Sequence, residues 1–162
     1  MRLDTRTPDR LTHAARRFER IEQRFAEFNV ALEWFKSLQC PLRQVTVEHG
    51  DDSRSVIVSF GTTKVVLRLL LVLPEDGVAA GQVICTRSQP NLGPVEPMIT
   101  SFTFDAQGRT SFEVGADGDP IEMEQHAAEI VMHVLEVAAR PIEPDINPFG
   151  AAAGGQNANA RL

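Results

Sequence analysis

Apolar residues recur at alternating steps of three and four along the first part of the chain: Leu11, Ala14, Phe18, Ile21, Phe25, Phe28, Leu32 and Phe35. This spacing gathers one stripe on one side of a helix in a heptad-like seam. It predicts a helix from Pro8 to about Leu38, with Thr7 as N-cap, Pro8 at the first helical position, Asp9 in the first turn and Pro41 as the stop. The period then falls to two, in segments rich in Val and Thr. Strands are predicted near Gln44–His49, Arg54–Phe60, Lys64–Leu73, Gly81–Arg87, Met98–Asp105 and Arg109–Val114. The turn signals between them include Gly50-Asp51-Asp52, Gly61-Thr62, Pro74-Glu75-Asp76-Gly77 and Asp105-Ala106-Gln107-Gly108. Links this short predict antiparallel hairpins.

Lys64–Leu73 is apolar at nearly every position, with Arg68 as its one internal charge, and this predicts a central strand covered on both faces. Ser88–Pro97 holds Pro90, Pro94 and Pro97, which predicts an exposed crossing loop. Asp119-Pro120-Ile121-Glu122 has the form of a helix start, with Asp119 as cap and Glu122 reaching back. The second helix is expected to run to about Arg140 with Met123, Ala127, Ile130, Val131, Val134 and Ala138 on its apolar face. After Pro141 the composition shifts to Pro, Gly, Ala and Asn, which predicts a flexible tail. The organisation read from this pattern is a single α+β domain over 1–140 and a tail over 141–162. Its fold class is a long N-terminal helix, an antiparallel sheet of five to six strands, and a C-terminal helix packed on one face of the sheet.

Composition narrows the function classes. The 162 residues are 43% hydrophobic, enough for one core. The net charge of −6 argues against a role in coating nucleic acid or anionic lipid. No apolar run reaches the roughly 20 residues a membrane helix needs, and no signal-peptide pattern follows Met1–Arg10, so the expected address is cytoplasmic. Charge is unevenly spread: residues 1–43 carry nine Lys/Arg and six Asp/Glu, leaving −9 for the rest. The first helix is therefore expected to dock on an acidic surface, first of all its own sheet.

Candidate chemistry is sparse. Cys40 and Cys85 lie 45 positions apart without a C-x-x-C pairing, which predicts free thiols. On the second helix Glu122, His126, Glu129, His133 and Glu136 share a side, but the two histidines at i, i+7 are about 10 Å apart along the axis, so a solvated polar face is expected. His49-Gly50-Asp51-Asp52-Ser53 collects triad residue types in a turn, where neighbours seldom converge on one point. The basic flank Arg10, His13, Arg17, Arg20 and Arg24 could follow phosphates, but the acidic residues Glu19, Glu22 and Glu33 on the same helix oppose this. No phosphate-loop glycine pattern occurs. The sequence points to no cofactor, no metal and no catalytic residue.

What remains is contact-making. The seam can pair with a second copy, giving a candidate interface of Phe18, Ile21, Phe25, Phe28, Leu32 and Phe35, flanked by Arg17 and Glu22, which would meet across a parallel pairing. Alternatively the seam covers the chain's own sheet. The expected function is a non-enzymatic protein-interaction module (adaptor, chaperone-like or regulatory), homodimeric, with room for a further protein partner and with neither nucleic acid nor membrane. One alternative is an apolar small molecule held, or acted on by an enzyme, in a pocket between sheet and helix lined by Arg68, Phe102, Phe104 and Phe112. Another is a bacterial secretion chaperone, on small size, acidity and helix–sheet–helix order. Asn147-Pro148-Phe149 is a hydrophobic hook in the tail, and Pro141–Phe149 is expected to strap back over the sheet.

Overall fold

A computed structural model describes residues 7–88, 96–114 and 118–141. Most of the crossing loop and the tail beyond Pro141 lie outside the described residues. The fold is α+β: a helix α1 (Thr7–Ala31), seven strands, and a helix α2 (Ala127–Ala139). The strands are β1 (Val45–His49), β2 (Ser55–Phe60), β3 (Thr63–Val72), β4 (Ala80–Ser88), β5 (Met98–Phe104), β6 (Arg109–Val114) and β7 (Asp119–Glu122). They form one sheet in chain order, every neighbour antiparallel. Short turns enforce this order. At the β5–β6 turn the Asp105 carboxylate accepts from the Gln107 and Arg109 amides (2.9 and 3.0 Å), and Gly108 takes the positive φ of 86° that closes it.

Alternation decides what lies inside. Val45 and Val47, Val56 and Val58, Val65, Leu67 and Leu69, Val83 and Cys85, and Phe102 and Phe104 all fall on one face by register, and all are buried. Both helices pack on that same face, α1 over β3 and β4 and α2 over β2, β3 and β5. The apolar stripe of α2 (Met123 just before it, then Ala127, Ile130, Val131, Val134 and Ala138) is buried throughout. A partly buried ion pair ties the two halves of this layer, Arg24 Nη1 of α1 lying 2.6 Å from Glu124 Oε1 ahead of α2.

Four expectations are corrected. The sheet has seven strands rather than five or six, because Asp119–Glu122 is the edge strand β7 and not a helix start. Pro120 is tolerated there because an edge strand can do without an inward N–H, and Thr110 Oγ1 donating to the Ile121 carbonyl (2.9 Å) holds the strand in place. Thr7 lies within α1 rather than capping it. The first helix does not continue to Leu38: after Ala31 it tightens into a 3-10 turn over Leu32–Lys36, ending at an extended Ser37. With three residues per turn, Leu32 and Phe35 stay stacked on the inner side, and both are buried. Finally, β3 is interior to the sheet, but among the described residues the helices pack on only one of its faces.

Candidate interaction surface

Helix α1 delivers the seam to the chain's own sheet. Ile21, Phe25, Phe28 and Leu32 have no solvent exposure, Phe35 is buried, Phe18 is half-buried, and Leu11 at the N-terminal end is exposed. Phe25 and Phe28 stack with centroids 5.9 Å apart. A second copy would have to displace the sheet to reach these rings. Of the flanking charges, Arg17 is exposed, while Glu22 accepts from Arg54 Nε at 2.7 Å, a contact from α1 to the residue ahead of β2.

The pocket expected from Arg68, Phe102, Phe104 and Phe112 does not form. Phe102 and Phe104 are buried beneath the helices, and Phe112 is half-buried with its ring 5.1 Å from Phe102 and 5.7 Å from His133. Arg68 lies on the opposite face of the sheet, because it sits between Leu67 and Leu69, which point inward. The His49–Ser53 turn disperses as well. Asp52 accepts from the Arg54 amide (3.0 Å) and Ser55 Oγ (2.8 Å), whereas His49 Nε2 turns to Glu33 (3.2 Å). Glu33 also accepts from the Lys36 ammonium, and that hydrogen bond, with smaller help from the Lys36 charge and the His49 contact, holds its carboxyl below the ordinary value. Glu122 is on β7 rather than α2, so the acidic and imidazole groups expected on one helix side are split between two elements.

The surface that no sequence motif singles out is the outer face of the sheet. Cross-strand register places Val66 opposite Ile57 on one side and Thr86 on the other, Thr86 opposite Met98, Arg68 opposite Ser55 and Ile84, and Leu70 opposite Gln82. Directly opposed side chains in a sheet sit about 5 Å apart. Ile57, Val66, Leu70 and Ile84 therefore make one contiguous apolar group around the Arg68 side chain. Leu70 is 45% and Met98 63% exposed, Ile57 and Ile84 are half-buried, Val66 is buried at the centre of the group, and Thr86 Oγ1 donates to Glu96 (3.0 Å) at its margin; no described helix or strand packs on this face. Around the group stand small polar residues: Thr46, Ser59, Ser88, Ser101 and Thr103. Among the described residues neither Arg68 nor Lys64 has an ion-pair partner. The visible signal is the run Lys64–Leu73 itself, which supplies apolar side chains to two faces of a protein whose helices cover one.

The sheet edges are less inviting. β1 is five residues long and ends in Glu48-His49, and β7 is four residues long and contains Pro120. Short, charged or proline-bearing edges resist strand addition.

Among the described residues, cavities on the inner side include two. One, of about 440 Å³, is an apolar groove where the C-terminal end of α2 meets the β1–β2 edge, lined by Leu42, Val45, Phe60, Met132, Leu135 and Arg140 among others. The second, of about 280 Å³, is polar and lies between Arg20, Arg24 and Glu27 of α1 and Ala106-Gln107 of the β5–β6 turn. No group of three or more metal-ligating side chains is assembled among the described residues, and no described helix is long and apolar enough to cross a membrane. No family model matches the chain, and neither a curated protein nor a solved structure matches it.

Proposed function

We propose that this chain is a non-enzymatic protein-interaction module that works through the outer face of its sheet, and that the occupant of that face is a second copy. The observation that carries the reading is the contiguous apolar group Ile57, Val66, Leu70 and Ile84, in which Leu70 is exposed, Ile57 and Ile84 are half-buried and Val66 is buried, with no described helix or strand packed on it and Ser and Thr around it. An apolar centre with a small polar rim and an arginine among its large side chains is the usual anatomy of a protein–protein interface. The face is also self-complementary in charge. It presents Lys64 and Arg68 on β3 and Glu48 on β1, so a two-fold axis in the interface can set Glu48 of one copy against Arg68 of the other.

Size sets the expected strength. With strands about 4.8 Å apart and about 3.3 Å of rise per residue, the outer face of β1–β5 has a footprint on the order of 600 Å². This is at the lower end of stable interfaces, which bury about 800 Å² per partner. The assembly expected is a dimer in exchange with monomer rather than an obligate one. Light scattering over a dilution series tests it: a mass that falls from dimer toward monomer supports self-association, and a monomer at every concentration overturns it.

The apolar groove favours one second reading. Its volume lies within the range of small-molecule pockets, so an apolar ligand held between helix and sheet edge is the alternative at that place, in a different location from the pocket the sequence suggested.

A further inference from the structure

The groove at the end of α2 is bounded by the same residues from which the chain departs. Ala139 and Arg140 form part of its wall, and Arg140 leaves the helix in an extended conformation (φ −62°, ψ 146°), as a residue before proline must. Two large apolar side chains of the groove, Phe60 and Met132, stay more than a third exposed. The groove therefore has unspent apolar surface within immediate reach of the residues beyond Pro141.

Those residues run Ile142-Glu143-Pro144-Asp145-Ile146-Asn147-Pro148-Phe149. Ile142, Ile146 and Phe149 are the apolar ones, and Pro141, Pro144 and Pro148 each restrict the backbone before binding. A segment restricted in this way loses less conformational entropy on docking. Phe149 is nine residues beyond Arg140, a reach of up to ~30 Å. Tethering also supplies a local concentration in the millimolar range, so a modest contact is enough for occupancy.

We infer that residues 142–149 are the resident occupant of this groove, with Phe149 as the side chain that meets Met132 and Phe60. The inference is independent of the outer face and does not rest on self-association.

Methionine methyl signals read it directly in the full chain, because Met132 lines the groove, Met98 stands on the outer face and Met123 is buried in the core. With ¹³C-methyl-labelled methionine, Phe149→Ala is expected to move the Met132 signal and leave Met98 and Met123 in place, at a shift independent of protein concentration. An unmoved Met132 overturns the inference. So does a response at Met98, which would put the segment on the outer face, or a Met132 shift present only at high concentration, which would make the occupant another copy. If Met123 also moves, Phe149→Leu, which keeps the bulk but removes the ring, is read by the same criteria at Met132.

Discussion

The ring of Phe104 lies over Gly81: a Cβ at Gly81 would stand 2.5 Å from Phe104 Cε1 and Cζ and 2.8 Å from Ile21 Cγ2. Strand β4, strand β5 and helix α1 thus meet at a point where no side chain beyond hydrogen fits. This contact accounts for the burial of the aromatic residues of β5, Phe102 and Phe104. Their space is filled by the helix that the seam brings down.

Gly81→Ala is accordingly expected to destabilise the fold by about 1–3 kcal/mol through overpacking, since both obstructing side chains are themselves buried. A denaturant midpoint comparison measures it. An unchanged midpoint would mean that α1 does not approach β4 this closely.

The two faces of the sheet should answer oppositely to truncation. Phe25 is fully buried and Leu70 is 45% exposed. Phe25→Ala should cost about 3–5 kcal/mol, whereas Leu70→Ala should stay within about 0.5 kcal/mol when measured on dilute monomer. Equal costs would rule out this assignment of inner and outer faces.

Cys85 faces the core from β4, and burial pushes its thiol up from 9.0 to about 12. In the native protein it should resist thiol reagents at pH 8 that modify the unfolded chain. The raised pKa also gives a sign for alkaline stability. The neutral thiol is retained in the fold while the unfolded chain ionises first, so this contribution is whole below pH 9 and is lost as pH rises from 9 toward 12. Cys85→Ala should lose less stability than the parent over that window, which chemical denaturation at about pH 8 and about pH 10.5 would show.

Much of the fold was legible in the sequence because local signals and the final packing agree. The seam from Ala14 to Phe35, the turn signals between the strands and the apolar side of α2 each specify an element and its inner face. The helix–strand exchange at Asp119–Glu122 was not legible, because Asp-Pro reads as a helix start locally and only pairing with β6 makes it an edge strand. The site was harder still. A strand apolar on both sides reads as covered on both sides, and that reading puts Arg68 with the aromatic residues. Which face the helices choose is a tertiary outcome that no periodicity within β3 can encode. The groove at Phe60 and Met132 likewise joins residues 72 positions apart, with no motif to announce it.

The outer face as an interaction surface is decided by sedimentation velocity on a dilution series of three proteins: the parent chain, Leu70→Glu on the outer face and Phe60→Glu at the groove. The expected pattern is a parent dimer that dissociates on dilution, a Leu70→Glu variant that is folded and monomeric throughout, and a Phe60→Glu variant that associates like the parent. A folded Leu70→Glu variant that keeps the parent's association would refute the outer face as the place where two copies meet.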